Sequence, residues 1–179
     1  MGSAIAGLLS AGGADIEHIG STDTTATVTG DIVILAVPYP ALAGIVGTYG
    51  PQLAGKTMVD ITNPLDFETF DSLTVPADSS AAAELAEALP SSKVLKAFNT
   101  TFAATLGAKT VGPNKTTVLI AGDDADAKSE LAIAISAGGV DAIDAGNLSR
   151  ARELEAVGFL QLTLGSEKVR WTGGFGIVR

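Results

Sequence analysis

The chain has 179 residues, no cysteine and a formal net charge of −9. That length suits one domain, 1–179, with a sizeable core; lack of cysteine excludes a disulfide framework and a thiolate metal site, and no metal site is expected. An acidic balance without a basic cluster argues against nucleic acid as a partner, no apolar run reaches bilayer length, and no charged n-region precedes the first apolar stretch, so a cytoplasmic protein with no membrane partner is expected.

Met1 to Gly12 reads as a helix, with Ala4, Ile5, Leu8 and Leu9 on one face and Gly12-Gly13 ending it. Its small residues Gly2, Ser3, Ala6 and Gly7 suit close approach to a sheet or ligand. A buried helix at the very start of a chain is read here as one whose preceding strand is missing. Asp15 to Gly20 is expected as a short strand, with Gly20-Ser21-Thr22-Asp23 as the turn after it. His18, the single histidine, falls inside that strand, where a structural role is expected. Thr22 to Gly30 is polar and β-branched, too short and too poor in helix formers for a full crossover helix.

Ile32 to Val37 is a run apolar on both faces, which predicts a strand in the middle of a parallel sheet. Pro38 stops it, because proline has no N–H for the ladder. Pro40 to Leu53 reads as a helix with Leu42, Ile45 and Val46 facing inward. Lys56 to Ile61 is the next buried strand, left through Asn63-Pro64-Leu65; Phe67 to Asp78 is irregular. Ser79 or Ser80 caps a helix through Leu89, with Glu84 in its early turns. Strands follow at Val94–Phe98, Thr116–Ala121 and Val140–Asp144, with a helix at about Ala125–Ala137. A long helix runs from Leu148 to about Lys168, the 148–170 region being expected to serve packing or dimerisation, and the tail from Trp171 is mixed. This alternation predicts an α/β fold with a mainly parallel sheet.

Four expected strands end in polar or proline-containing loops, at Gly20-Ser21-Thr22, Val37-Pro38-Tyr39, Asn63-Pro64 and Asn99-Thr100. In an open α/β sheet the carboxyl ends of the strands are where ligands bind. Val37, Pro38 and Tyr39 are therefore expected on the floor or rim of a site. The carboxamides of Asn63 and Asn99 can hold another carboxamide, such as nicotinamide, through paired donor and acceptor bonds. Asparagine also favours turns and caps, but two of them, each directly after a buried strand, point to binding. No carboxylate pair or nucleophile–base constellation stands out, and Tyr39 and Tyr49 have no lysine four residues on. No catalytic side chain is assigned. Such a site suits hydride transfer between two cofactors that carry the chemistry themselves.

The motifs Met1-Gly2-Ser3-Ala4-Ile5-Ala6, Ala36-Val37-Pro38, Asp60-Ile61-Thr62-Asn63-Pro64, Lys96-Ala97-Phe98-Asn99-Thr100 and Ala151-Arg152-Glu153-Leu154-Glu155 span nearly the whole chain. Together they resemble the deazaflavin-dependent NADP reductase family. That resemblance implies a Rossmann-type doubly wound sheet, with Met1-Gly2 matching the end of the family's G-x-G-x-M-G fingerprint and the first strand and first two glycines absent from this chain. It implies pyrophosphate at the start of the first helix, around Met1, Gly2 and Ser3. It also implies a 2′-phosphate at the turn Ser21-Thr22-Asp23, where Thr22 stands in the family's Arg or Lys position. An acidic residue closing the second strand would signal NAD; the strand closes on Ile19-Gly20 instead, so NADP(H) is expected. Asp23 argues the other way, since its charge repels a phosphate and suits a ribose diol. Ala97, Phe98 and Asn99 complete the expected cofactor set with Ala36 to Tyr39, Asn63 and Pro64.

The resulting reading is an NADP(H)-dependent oxidoreductase that moves hydride between nicotinamide and a second acceptor: a deazaflavin, a flavin, a ferric chelate or a small organic molecule. A non-catalytic dinucleotide sensor and an incomplete, inactive chain are the alternatives. Arg150, Arg152, Glu153 and Glu155 read as a solvated face with local ion pairs. Ala156 to Leu164 is apolar almost all round, which predicts a homodimer through the last helix. Phe98, Phe102 and Trp171 suit either a pocket for a planar acceptor or the core.

Overall fold

Three short apolar runs set the sheet. β1 (Ile32–Leu35), β2 (Thr57–Asp60) and β3 (Lys93–Ala97) pair in parallel, in that order. The structure, a computed structural model, describes residues 1–23, 25–167 and 171–178, those at 166 and 167 by backbone alone. After β3 comes a two-stranded hairpin, β4 (Thr110–Val111) with β5 (Asn114–Lys115). β6 (Thr117–Gly122) then joins β3 antiparallel, and β7 (Asp141–Gly146) pairs with β6 in parallel. The sheet order is β1-β2-β3-β6-β7.

Helices α1 (Gly2–Ala11), α2 (Leu42–Leu53), α3 (Ala81–Ala88), α4 (Ala103–Ala108), α5 (Ala125–Ala137) and α6 (Ala151–Glu167) surround it. Successive strand residues point to opposite faces, and the core divides accordingly. Val59, Leu95 and Ala97 pack with Ile5, Leu8 and Leu9 of α1 and Leu131 and Ile135 of α5. Met58 and Val94 pack with Leu42 and Leu53 of α2 and Leu85 of α3. Burying each of the larger side chains among these contributes about 1.5–3 kcal/mol. Helices on both faces of a mainly parallel sheet make the Rossmann-like arrangement the sequence predicts. α1 and α5 meet so closely that a Cβ on Gly138 would stand 2.4 Å from the Leu8 carbonyl oxygen. No described helix is long and apolar enough to cross a membrane.

Two expectations fail on the amino-terminal side. The Ile32–Val37 run is not central: β1 is the edge strand, and Ile32, Val33 and Ile34 are only half-buried. Apolar patterning reports what covers the faces of a strand and is silent about its edges. Asp15–Gly20 is not a strand either. With no ladder partner among the described residues it lies on the surface, with Ile16 and Ile19 each 38% exposed. His18 is exposed there. The segment is tied down by side chains instead: Thr29 donates to Glu17 at 2.6 Å, and the Tyr49 hydroxyl of α2 donates to the Asp23 carbonyl.

Elsewhere the boundaries follow local chemistry. Ser80 caps α3, its Oγ accepting from the Ala83 N–H at 3.1 Å, and Asp124 does the same for Ala127 at the start of α5. The long helix begins with a 3₁₀ turn at Leu148–Arg150, before α6 proper. Its predicted end at 168–170 lies outside the described residues. α4, the hairpin and the reversal at β6 have no counterpart among the expected elements. The six-residue α4 and two-residue strands are too short to imprint a period on the sequence.

Candidate functional site

Asn63 and Asn99 follow the carboxyl ends of the neighbouring strands β2 and β3, and they bond to each other. The Asn99 Nδ2 donates to Asn63 Oδ1 at 2.9 Å and to the Leu154 carbonyl of α6 at 2.8 Å. Asn63 Nδ2 donates to the Asn99 backbone carbonyl at 3.0 Å. Asn99 is 6% exposed, and its Oδ1 has no hydrogen-bond partner among the described residues. Both its N–H bonds end on carbonyl oxygens, which fixes the amide orientation and leaves the oxygen as the uncommitted end. A buried acceptor without a donor costs about 1–3 kcal/mol.

The turn that delivers Asn99 is strained. Phe98 has φ +62°, in the left-handed region that bulky residues avoid, and its ring is fully buried in the core beside α1. The Phe98 carbonyl accepts from the Thr101 N–H at 3.1 Å and the Thr101 hydroxyl at 2.8 Å. Phe98 is thus a core residue and not a wall for a planar acceptor. Phe102 and Trp171 meet edge to face at 5.1 Å, and neither belongs to that buried cluster. On the β2 side, the Pro64 carbonyl is held by Thr74, through its N–H at 2.7 Å and its hydroxyl at 3.0 Å. α6 passes directly over the pair at Gly158.

Beneath the carboxamides lies a buried ionic cluster that sequence reasoning missed. Lys96 and Asp60 are direct cross-strand partners in the β2–β3 register. The Lys96 ammonium donates to Asp60 Oδ2 at 2.8 Å, to Glu155 Oε1 at 2.8 Å and to the Thr62 carbonyl at 2.6 Å. All three charged side chains are withdrawn from solvent. Glu155 also accepts from the Ala81 and Ala82 N–H groups at 3.1 and 3.4 Å. With Ser80 on Ala83, the first three N–H groups of α3 all find acceptors. Burial raises the Glu155 carboxyl above the usual carboxylate range, and Lys96 opposes that shift. So Glu155 is not part of the expected solvated face; among the described residues of that face, Arg150 and Glu153 pair at 3.8 Å.

The remaining predicted residues fall in two places. Ala36, Val37 and Pro38 carry the chain from β1 into a 3₁₀ turn at Tyr39–Ala41. Tyr39 donates to Glu84 of α3 at 2.5 Å, and its hydroxyl is pushed up to about 12 by burial and by that carboxylate, so it stays protonated. Met1, Gly2 and Ser3 open α1 beside Ala36; a Cβ on Gly2 would stand 3.3 Å from that of Ala36. The leading N–H groups there have no intrahelical acceptor. Ser21, Thr22 and Asp23 lie on a separate, exposed turn. The Asp23 carboxylate folds back to accept from the Gly20 N–H at 2.8 Å.

An open cleft of about 430 Å³ runs between α6 and the 71–79 segment, walled by Leu73, Val75, Pro76 and Phe159, with Arg152 and Glu155 along it. Arg152 forms no ion pair among the described residues. Leu154, which holds Asn99, and Glu155, which lines the cleft, are consecutive. Among the described residues no group of three His, Cys, Asp or Glu is placed to hold a metal ion.

No family model matches the chain. It is 34% identical over 149 residues to the F420-dependent NADP reductase of Methanocaldococcus jannaschii, covering 81% of this chain and 66% of that one. It is 34% identical over 158 residues to the F420-dependent NADP reductase of Methanothermobacter marburgensis, covering 84% and 69%. The chain thus spans about two thirds of the length of these relatives. Among solved structures, an Arthrobacter sp. FB24 protein assigned as an F420-dependent NADP reductase superposes with a TM-score of 0.75 at 28% identity, over 83% of this chain and 69% of that one.

Proposed function

Because the chain belongs to the F420-dependent NADP reductase family, we propose that it binds NADP(H) and transfers hydride between nicotinamide and a deazaflavin. The observation that carries this reading beyond family membership is the Asn99 Oδ1, a buried acceptor at the carboxyl ends of β2 and β3 with no donor among the described residues. A nicotinamide carboxamide brings the N–H group it lacks. Gly2 and Ser3 at the start of α1 suit pyrophosphate, whose charge complements the leading N–H groups and the helix dipole. Ala36, Val37, Pro38 and Tyr39 form the floor between, with Pro64, Ala97 and Phe98 as the backbone frame of the carboxamide pair.

The exposed hydroxyls of Ser21 and Thr22 are the donors offered to the 2′-phosphate. Asp23, turned back onto Gly20, points less of its charge at that group. When bound, the dihydronicotinamide supplies the hydride; the protein orients the ring and keeps water away. Tyr39, held protonated by burial and by Glu84, does not ionise near neutral pH. The deazaflavin is assigned to the cleft beside α6, whose apolar walls suit a planar ring and whose Arg152 suits an anionic group on it. A homodimer through the exposed Val157 and Leu160 of α6, and a cytoplasmic setting, belong to the same proposal.

The test is anaerobic NADPH oxidation followed with deazaflavin, flavin and ferric chelate in parallel. Turnover fastest with deazaflavin, and weakened by Arg152→Ala through KM rather than kcat, is expected. Tight NADPH binding without turnover on any acceptor would make the protein a sensor instead.

A further inference from the structure

The Lys96 cluster is costly as a mere stabiliser. Three buried charges with a net of −1 gain little over an apolar trio of similar volume. Their hydrogen bonds end at particular places. Asp60 Oδ1 accepts from the Thr62 N–H at 2.8 Å, while Lys96 donates to the Thr62 carbonyl at 2.6 Å. Both backbone groups of Thr62 are therefore held, and Asn63 is the next residue. On the other side, Glu155 ties α6 to Lys96 and to α3, and its neighbour Leu154 supplies the carbonyl that anchors Asn99. Lys96 itself lies in the strand that leads through Phe98 into Asn99. Each anchor of the carboxamide pair is thus one to three residues from a member of the cluster.

We propose that Lys96 is a positioning residue: with Asp60 and Glu155 it sets the Thr62–Asn63 peptide and the first turns of α6, and so fixes where Asn99 Oδ1 presents its lone pairs to a carboxamide. The part concerning nicotinamide rests on the function proposed above; the part concerning the asparagines stands without it.

The experiment compares the native protein with Glu155→Gln and with Asp60→Asn/Lys96→Met/Glu155→Gln, which removes all three charges together and leaves none buried without a partner should the single variant fold poorly. Two readouts are taken on each folded variant. One is the position and hydrogen-exchange rate of the Asn63 and Asn99 side-chain amide signals by NMR. The other is calorimetric affinity for NADPH and for 2′-phospho-ADP-ribose, which has no nicotinamide. Both asparagine signals are expected to shift and exchange faster. NADPH should bind about tenfold more weakly, the loss of one well-placed hydrogen bond, while the fragment stays within about twofold. Unchanged asparagine signals in a folded variant, or equal loss of NADPH and fragment, would overturn the positioning role. Shifted asparagine signals with NADPH affinity unchanged would uphold it and remove the nicotinamide assignment instead.

Discussion

Gly158 lies against Asn63 so closely that a Cβ at 158 would stand 2.2 Å from Asn63 Oδ1 and 3.0 Å from Asn99 Nδ2. The last helix is therefore fitted to the carboxamide pair, and glycine is what permits its approach. Gly158→Ala should lower stability by about 1–3 kcal/mol, the usual cost of overpacking, despite a helix propensity gain of about 1 kcal/mol. Thermal unfolding of both proteins measures it; an equal or higher melting temperature would mean that α6 shifts freely.

Asn63→Ala and Asn99→Ala should slow hydride transfer by about tenfold to a hundredfold, in line with about 1–3 kcal/mol per lost buried bond. Affinity for 2′-phospho-ADP-ribose should stay nearly constant. Single-turnover NADPH oxidation separates the two, and unchanged rates in both variants would remove the pair from the site.

Thr22→Arg should raise the ratio of NADPH to NADH affinity, because a guanidinium adds charge-assisted bonds to the 2′-phosphate that a hydroxyl does not. The ratio is read by titration with each coenzyme. A native preference for NADH would show that Asp23 holds the ribose diol.

The pH dependence of stability should have two sides. Glu155 has its carboxyl raised in the folded state, chiefly by burial. The folded protein then binds that proton more tightly than the unfolded chain, so its contribution is full below the ordinary glutamate range and declines as pH rises through the raised value. Asp66, Asp124 and Asp144 are lowered, chiefly by the Glu68 N–H, the Ala127 N–H and the Lys128 ammonium respectively. Their contribution is present above the ordinary aspartate range and lost as pH falls through their depressed values. Melting temperature against pH should show both slopes, and Glu155→Gln should flatten only the one on rising pH.

Light scattering at micromolar concentration should give twice the chain mass, and Leu160→Glu should return the single mass without lowering the melting temperature of the monomer. A native protein of single mass would leave α6 covered by nothing more than solvent on that face.

Much of this was legible locally. The start of α3 was legible at Ser79 or Ser80 because a cap is decided by one side chain and the N–H three residues on, and Ser80 is the one that caps. The positions of Asn63 and Asn99 were readable because each follows a short apolar run. What escaped is what depends on partners far along the chain. Lys96 inside an otherwise apolar strand was a signal, and Asp60 at the matching position of β2 was its answer; together they predict a cross-strand pair once the register is known. Glu155 lies 59 residues from Lys96, and nothing in its local pattern sets it apart from Glu153. The edge position of β1 escaped because strand order is set by pairing and not by composition.

Phe98 has a consequence for what substitutions position 98 can accept. Glycine or asparagine would relieve the left-handed backbone, worth about 1–2 kcal/mol. Either would also vacate the space of a fully buried ring, at about 3–5 kcal/mol. Another large apolar residue keeps the core filled but retains the strain. The two demands have no common solution among the twenty side chains better than the one already present. In a library of all substitutions, position 98 should behave as frozen, while its exposed neighbours at 103 and 104 vary.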